Sequence, residues 1–266
     1  MVTFPPCKIN LGLQVIAKEL DGYHSISTCF YPLPFEDALE ILPAPEMKFT
    51  QSGIAIPGKV DENICLKAYH MVAADHKLPP VHIHLHKVIP TGAGLGGGSA
   101  DGAYTLRLLN EVFALNLRKD QLEGYARKLG SDCAFFLQDS PMIGTGRGDK
   151  LGPVSALLKG KFVRLFKPAV HISTAVAYSK IVPKKNKESI VEILSGPMTQ
   201  WKHRLKNDFE ESVFVEHPVI EKFKNELYAS GAIYASMSGS GSAVFGIYDE
   251  DKPANLFIKA CWSGWV

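Results

Sequence analysis

The densest chemical signal in the chain is Pro90-Thr91-Gly92-Ala93-Gly94-Leu95-Gly96-Gly97-Gly98, where six of nine positions are Gly or Pro. Glycine lets a backbone approach a ligand closely and take positive φ, but it is costly to order, so five glycines within seven residues need a reason beyond a flexible loop. A helix is expected directly afterwards, because Ala103, Leu106, Leu109 and Phe113 recur at spacings of three and four. Glycine-rich backbone that leads into a helix aims N–H groups and the positive dipole end at an anion. The natural guest is a phosphate.

The common phosphate loops do not fit. A Walker A loop ends in Gly-Lys-Ser/Thr, whereas this run ends Gly98-Ser99-Ala100. A dinucleotide fingerprint can be drawn through Gly92, Gly94 and Gly97, yet a second helix follows the first where a strand with a terminal acid is needed. The protein-kinase runs Val-Ala-Ile-Lys, His-Arg-Asp and Asp-Phe-Gly are absent.

Pro90-x-x-x-Gly94-Leu95-Gly96-x-x-Ser99-Ala100 resembles the second motif of the galactokinase, homoserine kinase, mevalonate kinase and phosphomevalonate kinase (GHMP kinase) family. Pro6-Cys7-Lys8-Ile9-Asn10-Leu11 is similar to the family's first motif, and the run Met237 to Phe245, with Gly239-Ser240-Gly241 at its centre, to the third. Asp21-Gly22-Tyr23-His24, Gly97-Gly98, Gly130-Ser131-Asp132-Cys133-Ala134-Phe135-Phe136 and Asn207-Asp208-Phe209 narrow the resemblance to members that act on a cytidine diphosphate-linked methylerythritol.

That resemblance implies an ATP- and Mg²⁺-dependent kinase acting on an alcohol, with a role for each matched residue. Asp132 accepts the proton of the hydroxyl, and Lys8 pairs with it and keeps the carboxylate ionised, or acts on the transferring phosphoryl group. Pro90, Gly92, Gly94, Leu95, Gly96, Gly97, Gly98 and Ser99 hold the ATP phosphates, Ser99 helps hold Mg²⁺, and Asn63 and Lys87 lie near the adenine. Asn63 reads equally as a helix-start residue. Tyr23 and Tyr178 sandwich the cytosine and His24 pairs with its edge. Asn10 holds the methylerythritol end and Thr174 a diphosphate oxygen, while Gly239, Ser240 and Gly241 flank the site.

Some residues depart from the family pattern. Gly102 stands where an alanine is usual and weakens the helix start, and Asp101 sits close to the expected phosphates. Both bear on nucleotide affinity. Cys133-Ala134 replace a commoner Val-Pro and are expected to loosen the turn of Asp132. His82, His84 and His86 share one strand face, a geometry that metal sites use, but no further ligand is placed. They read as a polar outer face, and no metal site is assigned to them. Arg147-Gly148-Asp149 imitates an integrin-binding tripeptide and reads as part of a Gly-rich turn over 144–152.

Positioning these groups takes mixed elements. Ile9, Leu11, Leu13 and Val15 alternate as a strand, 38–42 and 81–88 read as strands, and 63–74 and 117–129 as helices. Farther on, strands are expected at 162–166, 232–237 and 242–248. Helices are expected at 174–181, 189–195, 210–216, 219–229 and 251–260. The resemblance implies an α+β fold of two domains with the active site in the cleft between them. Residues 1–153 would form a ribosomal-protein-like, ATP-binding domain, and 154–266 a ferredoxin-like one.

Global composition supports an enzyme of small molecules. Of 266 residues, 46% are apolar and 21% charged, enough for a core. Lys and Arg number 29 against 27 Asp and Glu, a net charge of +2 that argues against a nucleic-acid binder. The basic run Lys184-Lys185-Asn186-Lys187 reads as a solvated loop. Five cysteines without a Cys-x-x-Cys pair point to a reducing compartment, and no apolar run suits a membrane span, so a cytoplasmic, unprocessed chain is expected. A sister kinase for homoserine or a mevalonate-type acid has no base for Tyr23-His24 to read. A silent binding module conflicts with intact Lys8 and Asp132.

Overall fold

The computed structural model describes residues 1–155, 157–183, 188–251 and 259–266. The Lys184–Lys187 run lies outside the described residues, as does 252–258 of the helix expected over 251–260. In chain order the strands β1 (Val2–Thr3), β2 (Pro6–Lys18), β3 (His24–Glu36), β4 (Ala38–Pro43) and β5 (Lys48–Gly53) come first. Helix α1 (Ile64–His76), strand β6 (Val81–Lys87) and helices α2 (Gly97–Val112) and α3 (Lys119–Leu129) follow. Strands β7 (Met142–Gly146), β8 (Lys150–Pro153) and β9 (Phe162–Phe166) lead to helices α4 (Thr174–Ser179), α5 (Ile190–Ser195), α6 (Trp201–Arg204), α7 (Phe209–Glu216) and α8 (Pro218–Ala229). Strands β10 (Tyr234–Met237), β11 (Val244–Tyr248) and β12 (Trp262–Trp265) end the chain. The architecture is α+β, with three four-stranded sheets ordered β1-β4-β6-β5, β2-β3-β7-β8 and β10-β11-β9-β12.

The chain forms two compact units that alternate along the sequence. One comprises Met1–Cys7, Phe35–Thr91 and Gly96–Asp139; the other comprises Lys8–Pro34, Gly92–Leu95 and Ser140–Val266. In the first unit, α1 and α2 pack together and α2 also lies against β4. A Cβ on Gly102 would meet Ile64 at 2.8 Å, so the glycine read as a weakness of α2 is what admits α1 so closely. On β6, parallel to β5, His82, His84 and His86 form a ladder with hydroxyls: Thr50 bonds His82 at 2.9 Å and His84 at 2.8 Å, and Ser52 bonds His84 at 3.1 Å and His86 at 2.9 Å. Among the described residues no group of three or more His, Cys, Asp or Glu side chains is arranged to hold a metal ion.

In the second unit, Leu13 and Val15 of β2 share a core with Phe162, Phe166, Phe209, Val213, Ile220, Phe223, Met237 and Val244. The polar residues Lys8, Asn10 and Gln14 of β2 are buried along with the apolar positions between them. The Leu13 amide donates to the Lys206 carbonyl and the Asp208 amide to the Leu13 carbonyl, at 2.9 and 2.8 Å. The stretch 144–152, read as a turn, is a hairpin of β7 and β8 closed around Arg147-Gly148-Asp149. All five cysteines are free. Among the described residues no helix is long and apolar enough to cross a membrane.

Candidate active site

In the first unit the site begins at the N-terminus of α2, where Gly96 takes φ +69 as the N-cap and offers no side-chain cap. First-turn amides without such a cap are donors for an anion. Gly97 and Gly98 already belong to the helix, so the glycine run is partly its first turn. A Cβ on Gly97 would lie 2.8 Å from Ile89 and 2.9 Å from the Lys87 ammonium, whereas one on Gly98 would meet nothing within 4 Å. Gly98 therefore leaves the open side of the turn bare.

Lys87 underlies this turn. Its ammonium bonds Asp101 at 2.8 Å and also Asp37, and its side chain is 1% exposed. The other Asp37 oxygen accepts the amides of Val88 at 2.6 Å and Ile89 at 2.9 Å. Burial drives the Asp101 carboxyl up to about 7 against the pull of Lys87. Asn63 caps α1 by accepting the Cys65 amide at 2.9 Å, the helix-start role open to it in the sequence.

Asp132 lies half-buried in the turn after α3. The turn is closed by the Cys133 amide on the Gly130 carbonyl and the Phe135 amide on the Asp132 carbonyl, both at 3.2 Å. Cys133 and Ala134, which follow Asp132 in this turn, are both fully buried. Burial pushes the Cys133 thiol up to about 12.

In the second unit, the Lys8 ammonium donates to Asn10 Oδ1 at 2.5 Å and to the Gly94 carbonyl at 3.0 Å. Asn10 Nδ2 donates to Thr28 Oγ1 at 2.9 Å, which orients its oxygen toward Lys8. Gly94 and the late glycine turn meet closely: Ser238 Oγ donates to the Gly94 carbonyl at 2.9 Å, and a Cβ on Gly239 would lie 3.2 Å from Gly94. Leu95 is buried and accepts the Lys8 amide at 2.9 Å; Gly92 has φ +61, and a Cβ there would touch the His171 ring at 3.0 Å. Thr174 and Ser240 share a hydroxyl hydrogen bond of 3.0 Å. The rings of His24 and Tyr178 stack with centroids 4.9 Å apart, and Tyr178 stands edge-on to Phe209. Tyr23 is more than half exposed and carries Arg147 over its ring. Pro90 is half-buried at the head of the glycine run.

Residues 63–140 match the family model described as GHMP kinases N terminal domain, and residues 189–261 the one described as GHMP kinases C terminal. The chain belongs to the GHMP kinase family. Among relatives of this GHMP kinase, a 4-diphosphocytidyl-2-C-methyl-D-erythritol kinase of Cytophaga hutchinsonii is 50% identical over 94% of this chain and 93% of its own. One of Bacteroides fragilis is 51% identical over 98% of this chain and 97% of its own. A crystal structure of 4-(cytidine 5'-diphospho)-2C-methyl-D-erythritol kinase superposes with a TM-score of 0.78 at 30% identity, covering 93% of this chain and 90% of that one. A mevalonate kinase structure, at 14% identity and a TM-score of 0.70 over 93% and 91% of the two chains, shares the fold.

Two residues were not singled out by sequence: Asp37, which with Asp101 clasps Lys87, and Thr28, which orients Asn10. Ser238, noted only as part of the third motif, bonds Gly94. Asn207, noted only as part of a family-like run, donates to the carbonyls of Met237 and Gly239 at 2.8 Å each and so holds the late glycine turn.

Proposed function

We propose that this chain transfers the γ-phosphoryl group of ATP to the 2-hydroxyl of 4-diphosphocytidyl-2-C-methyl-D-erythritol, a step of the non-mevalonate route to isoprenoid precursors. Identities of 50% and 51% over nearly the whole chain, to relatives named for that kinase, carry the reading.

In this reading the amides from Gly94 to Ser99 bind the ATP phosphates, with Pro90 and Gly92 shaping the approach. Mg²⁺ supplies neutralisation of phosphate charge when bound with ATP, and the Ser99 hydroxyl, a hard oxygen donor on the first turn of α2, suits it. Asp132 takes the hydroxyl proton as oxygen bonds to the γ-phosphorus and the bond to ADP breaks. Lys8, aimed by Asn10 and the Gly94 carbonyl, steadies the hydroxyl and the transferring charge. Tyr23, His24 and Tyr178 recognise cytosine, Thr174, Gly239 and Ser240 the diphosphate side, and Asn10 the alcohol. Asn63, at the head of α1, and Lys87, beneath α2, serve the adenine side. The two family matches, ending at 140 and starting at 189, bracket the domain division proposed at residue 153. Five free cysteines and a net charge of +2 support a cytoplasmic enzyme that binds neither membrane nor nucleic acid.

ADP release from purified protein with ATP and Mg²⁺ tests the reading, with the cytidylyl substrate set against homoserine and mevalonate. Release with the cytidylyl substrate alone is expected. Release only with another alcohol overturns the cytosine assignment, and none with any of them overturns the kinase activity.

A further inference from the structure

The Arg147-Gly148-Asp149 turn is joined to the aromatic signature by strand register. Ile26 of β3 pairs with Gly146 of β7, so the turn before β3 and the turn after β7 leave the sheet at the same end. There the Arg147 guanidinium carbon lies 3.7 Å from the centroid of the Tyr23 ring. The same guanidinium is ion-paired with Asp21, whose Oδ1 accepts the Tyr23 amide at 3.0 Å. The three residues close a triangle of stacking, ion pair and hydrogen bond.

Both turns are set by their own backbone. The Glu19 amide donates to the Tyr23 carbonyl at 2.8 Å and the Gly22 amide to the Glu19 carbonyl at 3.0 Å. The Gly148 amide donates to the Thr145 carbonyl, and the Arg147 amide to Asp149 Oδ1, each at 3.0 Å. The Tyr23 amide first, and the Arg147 guanidinium after it, hold the Asp21 carboxyl below its ordinary value, so Asp21 is a carboxylate at neutral pH. An exposed tyrosine on a hairpin tip otherwise loses side-chain freedom when it stacks on a ligand. A planar guanidinium already lying on the ring removes part of that loss, and the ammonium of a lysine does so less well.

We propose that Arg147 and Asp21 are positioning residues for substrate recognition: they hold the Tyr23 ring in one orientation, with the guanidinium on one face and the other face left for the base of a nucleoside diphosphate-linked substrate. The proposal rests on the reading of Tyr23 as the cytosine platform.

The test is KM for the cytidylyl substrate and for ATP, with kcat, in wild type, Tyr23→Ala, Arg147→Ala, Arg147→Lys and the Tyr23→Ala/Arg147→Ala double variant. Arg147→Ala is expected to raise KM for the cytidylyl substrate about two- to fivefold, the weight of an exposed cation–π contact, with smaller changes in kcat and in KM for ATP. Arg147→Lys recovers part of the loss. Added to Tyr23→Ala, Arg147→Ala produces no further rise, because its effect passes through the ring. An unmoved KM in Arg147→Ala, beside a raised one in Tyr23→Ala, overturns the proposal and spares the cytosine reading. An equal rise with and without Tyr23 also overturns it, since Arg147 would then act on the substrate itself. An unmoved KM in Tyr23→Ala overturns the stacking reading, and the proposal with it.

Discussion

Gly94 and Ser238 lock each other: Ser238 Oγ donates to the Gly94 carbonyl at 2.9 Å, and a Cβ on Gly94 would lie 2.0 Å from the Ser238 carbonyl oxygen. The glycine also has φ +78. Gly94→Ala therefore meets a left-handed penalty of about 1–2 kcal/mol and a backbone collision together. It is expected to lower kcat/KM for ATP by about tenfold or more, through displacement of the loop. An alanine variant with wild-type kinetics and melting temperature would remove Gly94 from the site.

The Asp37–Lys87–Asp101 cluster makes an asymmetric prediction. Lys87→Met leaves two buried carboxylates without their cation, and is expected to cost about 3–5 kcal/mol in urea unfolding. Asp101→Asn leaves one carboxylate against one ammonium and costs less. Equal losses in the two variants would contradict the pairing.

The same cluster sets a pH dependence. The Asp101 carboxyl is raised by burial from 3.8 to about 7. A carboxyl that holds its proton more tightly when folded contributes stability in acid and loses it as pH rises through that window. Wild type should thus lose stability between about pH 4 and 7, and Asp101→Asn should lose less. Matching slopes of unfolding midpoint against pH in the two proteins would refute this.

Gly102 reverses the usual rule for helix glycines. Alanine there gains about 0.5–1 kcal/mol of helix propensity. Its Cβ would stand 2.8 Å from Ile64, however, and overpacking costs about 1–3 kcal/mol. Gly102→Ala is expected to destabilise, and adding Ile64→Val to recover part of the loss. A more stable single variant would show that α1 yields freely.

For Asp132, the proton-acceptor role predicts that Asp132→Asn lowers kcat by about 10²-fold or more and barely alters ATP binding. Turnover close to wild type in that variant counts against the role.

The glycine run was legible because its demand is local: positive φ and a missing Cβ at Gly94 and Gly96 belong to those residues alone. The strand β3 was not, since Pro32 and Pro34 argue against a strand and burial on both faces leaves little alternation. The stretch after Met142 read as a turn because glycine marks turns. Gly144 is instead a strand residue, and its missing side chain leaves room for the Phe30 ring, which a Cβ would meet at 2.4 Å. Asp37 stands 50 residues from Lys87, and Met237 stands 30 from Asn207, where no spacing rule reaches them. On β2 the polar residues Lys8, Asn10 and Gln14 are buried because other chain segments bond them: Gly94 accepts from Lys8, Thr28 from Asn10 and Glu188 from Gln14, partners that the strand's own period does not carry.

The alternation of the two units along the chain bears on birth at the ribosome. Every residue of the first unit has been made once Asp139 is added, so that unit can close early. The strand bearing Leu13 and Val15 must wait for Phe209, Met237 and Val244 before its core exists. For most of translation a stretch of apolar strand is therefore a guest without its host, open to chaperones and to like strands on neighbouring nascent chains.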